Sequence, residues 1–177
     1  ARKPGELFSD AVKQQLNMVF GRMAKPVTLS LDVDGTPFSV ELEGFVDEIA
    51  RLSGGKVSVV RAESPDASTD DDGRAVFDAA GVLPDARPCV RVLVDGKPTG
   101  LAFHGVPSGH EFNSFVLGLY NAAGPGQPID DDLAERAKTI SSPTNVMILV
   151  SLTCTMCPET VLSAQRIASL NPNVRAE

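Results

Sequence analysis

The sequence predicts an α/β fold in which one helix–strand–turn–helix unit occurs twice, packed as one body, with the second copy incomplete in these 177 residues. Three observations predict it. Val12, Leu16, Val19, Phe20 and Met23 form one apolar stripe at helical spacing. Val27-Thr28-Leu29-Ser30-Leu31-Asp32-Val33 then alternates apolar and polar residues, which is the strand period. Finally, Ile49-Ala50-Arg51-Leu52-Ser53 returns as Ile167-Ala168-Ser169-Leu170-Asn171, an offset of 118 (49 to 167). Val27 matches Val146 at 119 (27 to 146), so one residue is inserted or deleted between the copies.

The elements follow in order. A first helix covers 10–24, capped by Ser9 or Asp10 and stopped at Lys25-Pro26. Strand 27–33 turns through Asp34-Gly35-Thr36-Pro37 into helix 38–52, which stops at Gly54-Gly55 and is followed by strand 56–62. Residues 63–73 lack periodicity and carry Asp70-Asp71-Asp72, the pattern of an exposed loop. A short strand is expected at 75–78. Strands 88–94 and 99–105 form a hairpin through Asp95-Gly96, and helix 109–121 closes this half. Gly124-Pro125-Gly126-Gln127-Pro128 reads as a hinge, and Asp130-Asp131-Asp132 opens a helix to about residue 140. Apolar strand 146–152, turn 153–158 and helix 159–170 repeat the earlier order. The units are therefore 1–123, a linker with a short helix at 124–145, and 146–177.

Composition narrows function. A net charge of −7 without a basic run argues against nucleic acid. No apolar stretch reaches the roughly 20 residues of a membrane helix. Ala1-Arg2-Lys3-Pro4-Gly5 has no apolar run behind it and does not read as a signal peptide. Three cysteines, two of them close together, suit a reducing cytoplasm better than a disulfide-stapled secreted scaffold.

The chemistry concentrates at Cys154-Thr155-Met156-Cys157, between a strand and a helix start. Backbone N–H groups and the dipole at a helix N-terminus favour a thiolate, the species that attacks a disulfide. The spacing lets a second sulfur close a ring and release the partner. Cys154 is the expected nucleophile and Cys157 the resolving thiol; Pro158 fits a first turn. Two rival readings are half a zinc site and a pair of thiols that merely pack. Zinc needs about four ligands, and only Cys89, His104 and His110 remain, none with ligand spacing. In the first copy, Gly35 and Phe38 stand about where Cys154 and Cys157 stand in the second, so that copy lacks a dithiol. Cys89, in a strand with Val90, Val92 and Val94, is expected to be buried and inert.

Ser151-Leu152-Thr153-Cys154-Thr155-Met156-Cys157-Pro158 with Ala168-Ser169-Leu170-Asn171-Pro172, and Gly109-His110-Glu111-Phe112-Asn113-Ser114-Phe115-Val116-Leu117, resemble the N-terminal domain of the alkyl hydroperoxide reductase F subunit. The likeness runs from the first helix to Glu177 and departs at the longer acidic loop 63–73. It implies two fused thioredoxin-like folds with a single dithiol, in the second. It implies electrons received from an FAD- and NADH-binding reductase portion of the same polypeptide, outside these residues, and passed to a peroxiredoxin, the C subunit. It also allows a homodimer through that portion.

The resemblance places Glu111 across from the dithiol, assisting proton transfer. From the residues alone, Ser108-Gly109-His110-Glu111 fits a capping box, and the two roles are compatible. Arg87-Pro88 falls where thioredoxin-like folds place a cis proline. The competing readings are a stand-alone, glutaredoxin-like disulfide oxidoreductase and a non-catalytic interaction module with an acidic surface.

Overall fold

The computed structural model describes residues 7–62 and 87–177; the expected acidic loop and the strand at 75–78 lie outside the described residues. Ser9 caps α1 (Asp10–Arg22), its hydroxyl accepting the Val12 N–H. β1 (Val27–Asp32) leads to α2 (Pro37–Leu52), and β2 (Val57–Arg61) follows. β3 (Cys89–Val94) and β4 (Lys97–His104) form the hairpin through Asp95-Gly96. α3 (Glu111–Ala123) and α4 (Asp131–Lys138) come next, then β5 (Thr144–Val146), α5 (Cys157–Ala168) and β6 (Val174–Ala176).

One six-stranded sheet runs through both copies in the order β2-β1-β3-β4-β6-β5. The repeat is visible in its hydrogen bonds. Val27 N–H donates to Lys56 O, and Thr144 N–H to Asn173 O, so Val27 corresponds to Thr144 (an offset of 117, 27 to 144) and not to the Val146 that the sequence matched to it. Val27 pairs with Val57 in parallel, and Thr144 pairs with Val174 with the same spacing along the chain. The helix ends match as well: Ser53 N–H reaches Ala50 O, and Asn171 N–H reaches Ala168 O, the pair the recurring segment predicts. The two copies meet where β4 pairs with β6 and where α3 packs on α5. Leu29, Ile49, Val90, Phe115 and Leu119 form the dry centre, joined to an aromatic cluster of Phe8, Phe45, Phe103, Phe112 and Phe115.

Two further expectations need correction. The strand expected at 146–152 is confined to Thr144–Val146. β5 is an edge strand paired only with β6, whose last contacts are Ile148 N–H to Glu177 O and Glu177 N–H to Val146 O. Beyond them the apolar run has no ladder, and Leu149 is 93% exposed. The helix start at Ser108 also differs. α3 begins at Glu111, with His110 at the N-cap and no side-chain cap bond, so there is no capping box. Gly109, at φ +58°, turns the chain too late for Ser108 to reach that position.

The expected hinge is docked in place. Ala24 N–H donates to Gly124 O, and the Asn121 side chain accepts the Gln127 N–H while donating to its amide oxygen. The Arg87-Pro88 bond is cis, as expected. No described helix is long and apolar enough to cross a membrane.

Candidate active site

Cys154 lies in the loop after β5, and Cys157 is the first residue of α5. Their sulfurs are bonded to each other, with Cα atoms 5.6 Å apart. The Cys157 N–H, an orphan donor at the helix start, points at Cys154 Sγ at 3.1 Å. The loop is held by Cys154 N–H donating to Ser151 O. Pro158 occupies the first turn, where no N–H is needed. Both cysteines are half-buried, while Thr155 and Met156 between them are exposed, so a partner can approach from that side.

The start of α3 abuts this loop. His110 N–H donates to Leu152 O, and a Cβ added at Gly109 would lie 2.6 Å from the same oxygen, so only glycine fits. Further along, Gly118 touches Gln165 of α5. Because the start of α3 meets the loop that leads into α5, and a later residue of α3 meets a later residue of α5, the two helices run in the same direction. Glu111 is the first residue of α3, as Cys157 is of α5. Its side chain is 4% exposed, and its Oε1 has no hydrogen-bond partner. Glu111 lines an open cavity of about 510 Å³ together with Leu152, Val161 and Gln165.

The other candidates are elsewhere. Cys89 is buried in the central strand β3. His104 pairs with Glu177 at 3.1 Å. Aligned by helix start, the counterparts of Cys154 and Cys157 in the first copy are Asp34 and Pro37, and not the expected Gly35 and Phe38, because Thr36 and Met156 are the N-caps of α2 and α5. Asp34 accepts the Thr36 N–H at 3.1 Å and the Ser39 hydroxyl at 2.6 Å. These bonds, Ser39 foremost, hold its pKa down to about 2. The sequence signal for it was present, an Asp two residues before a Thr-Pro helix start, but it read only as a turn.

No family model matches the chain. Relatives and solved structures do. It is 29% identical over 163 residues to an NADH dehydrogenase of Bacillus subtilis, covering 92% of this chain and 28% of that protein. The F subunit of alkyl hydroperoxide reductase from Pseudomonas aeruginosa is 29% identical over 164 residues, covering 93% and 28%. The solved Enterococcus faecalis alkylhydroperoxide reductase F subunit superposes with a TM-score of 0.80 at 36% identity, across 97% of this chain and 79% of that one. The chain belongs to the family of alkyl hydroperoxide reductase F subunits. It spans under a third of the length of the curated relatives named above, and it carries the thioredoxin-like architecture of that family's N-terminal region. The Gly124-Pro125-Gly126 turn follows a helix rather than a strand, and Arg166 and Asn121 occupy the space around Gly126, so this turn is no dinucleotide-binding fingerprint.

Proposed function

We propose that this chain is a cytoplasmic dithiol relay, taking reducing equivalents from a flavin- and NADH-dependent reductase portion of its polypeptide and delivering them to a peroxiredoxin disulfide. The observation that carries the reading is the half-exposed Cys154–Cys157 pair at the start of α5, with the Cys157 N–H directed at Cys154 Sγ. In the reduced chain, Cys154 as thiolate attacks one sulfur of the partner disulfide, forming a mixed disulfide and releasing the partner's first thiolate. Cys157 then gives its proton to Glu111 and attacks Cys154 Sγ. The Cys154–Cys157 bond forms, the mixed disulfide breaks, and the partner's second thiolate leaves. The chain loses two electrons, and the partner gains them. Glu111 suits the proton-accepting role because it heads α3 where that helix abuts the loop carrying Cys154, and no donor among the described residues occupies its buried oxygen.

The test is transfer between purified proteins. The reduced chain is mixed with an oxidised peroxiredoxin of the C-subunit type, and intact masses are followed with time. Stoichiometric reduction of the peroxiredoxin is expected, with glutathione reducing the chain's disulfide far more slowly. No transfer to the peroxiredoxin, with rapid turnover by glutathione, would instead identify a stand-alone glutaredoxin-like oxidoreductase.

A further inference from the structure

α3 carries Glu111, Ser114 and Gly118 at spacings of one and two turns, which sets them on one face, and that face meets α5. On α5 the residues Cys157, Val161 and Gln165 follow each other at single-turn intervals, so the stripe that begins with the resolving cysteine ends in an amide. Gln165 is 2% exposed, and its Oε1 has no partner; Ser114 is fully buried, and its hydroxyl has none either. Three polar atoms, Glu111 Oε1, Ser114 Oγ and Gln165 Oε1, therefore lie in one seam without a partner among the described residues, where buried polar groups are ordinarily satisfied. Gly118 explains how the amide is seated. A Cβ there would stand 2.7 Å from Gln165 Oε1 and 3.1 Å from its Cδ. Glycine disfavours helix interiors, and here it leaves the space that the amide fills.

We propose that Gln165, seated on Gly118 and assisted by Ser114, is a positioning residue for Glu111, supplying the hydrogen bond that Glu111 makes once it carries the Cys157 proton. This rests on the proton-accepting role of Glu111 given above. In the oxidised chain neither Glu111 Oε1 nor Gln165 Oε1 has a donor among the described residues. When Cys157 is deprotonated, the proton moves to Glu111, which becomes a donor. The Gln165 oxygen or the Ser114 hydroxyl can then accept it, directly or through a water in the cavity that Glu111 and Gln165 share. Protonation thus gives Glu111 a donor for an oxygen that lacks one in the oxidised chain, which favours removal of the resolving thiol's proton. No atom is lost: the proton leaves Cys157 Sγ for Glu111, and the sulfur's electron pair closes the disulfide.

The experiment uses the reduced chain and an aryl disulfide whose aryl thiolate is coloured. Attack by Cys154 releases one equivalent, and closure by Cys157 releases a second, so two phases separate the two steps. Glu111→Gln should slow the second phase roughly tenfold to a hundredfold, at the low end of general acid–base effects. Gln165→Leu should slow it roughly two- to tenfold, the worth of one neutral hydrogen bond, and leave the first phase unchanged. Gly118→Ala keeps the amide but displaces it, and should give the same loss; it also serves should the leucine variant fold poorly. Gln165→Leu added to Glu111→Gln should cost nothing further, because the amide acts only through the carboxyl. Closure at the wild-type rate in both Gln165→Leu and Gly118→Ala, beside a slow Glu111→Gln, would overturn the positioning role and leave the proposed function intact. Losses that multiply in the double variant would overturn it too. A wild-type rate in Glu111→Gln would remove the proton-accepting reading itself, and this proposal with it.

Discussion

The turns after β1 and β5 lead into helices of the same unit, yet they place different groups at the helix start. In the first copy the group is the Asp34 carboxylate, held by the Thr36 N–H and the Ser39 hydroxyl. In the second it is Cys154 Sγ, which receives the Cys157 N–H and is bonded to Cys157. A helix start offers the same unsatisfied N–H groups and the same positive end of the dipole in both places. The first copy uses that field to hold a permanent anion that fixes the turn. The second applies it to a sulfur that can leave and return. What separates the two helix starts is thus the residue placed there, a carboxylate in one and a sulfur in the other.

That contrast can be broken most sharply at Cys157. Cys157→Ser should leave Cys154 able to attack a peroxiredoxin disulfide and unable to let it go, so a mixed disulfide accumulates on non-reducing gels. Trapping by Cys154→Ser instead would reverse the two roles. Glu111→Gln should slow exchange with the peroxiredoxin by roughly one to two orders of magnitude, while its melting temperature stays near that of the parent chain. A large loss of melting temperature would show that the carboxyl holds the helix start rather than the proton.

Two further variants act on the turns themselves. Gly109→Ala forces a left-handed backbone on a residue with a Cβ and drives that atom into Leu152 O. A loss of about 1–2 kcal/mol or more is expected from the backbone alone, measured by denaturant unfolding, with slower exchange because the dithiol loop shifts. An unchanged midpoint would mean the contact between α3 and that loop is dispensable. The smallest effect belongs to Asp34→Asn. The folded-state pKa lies near 2, below the ordinary 3.8, so the contribution of the charge is complete above 3.8 and fades as pH falls through 2. The variant should therefore melt below the parent at neutral pH, and the gap should close on acidification. A gap that persists at the acid end would assign the effect to hydrogen-bond geometry instead of charge.

Local signals in the sequence were enough for much of the fold. The alternation at residues 27–33, the stripe of α1 and the Asp95-Gly96 turn each encode their element through near neighbours, and the elements lie where those signals put them. The repeat was legible because equivalent turns need equivalent residues: Ser53 and Asn171 make the same backbone bonds, to Ala50 O and Ala168 O, although α2 runs to Leu52 and α5 only to Ala168. The apolar run 147–152 misled because a continuous apolar stretch specifies a strand only if neighbouring strands flank it. The capping pattern at Ser108 misled because the positive φ of Gly109 decides which residue enters the helix first.

By itself, then, the sequence determined the α/β class, the duplication and the dithiol, since each is written in spacing along the chain. The tertiary structure alone decided the surroundings of that dithiol. Glu111 and Cys157 lie 46 residues apart (111 to 157), and no periodicity relates them. α3 and α5 run side by side with Gly118 against Gln165, which brings Glu111 into one cavity with Val161 and Gln165 of the helix that Cys157 opens. The same packing turns Asp34 from a turn residue into the counterpart of a nucleophile, because equivalence between two copies is a property of the helix starts in space and not of the intervals that separate them in sequence.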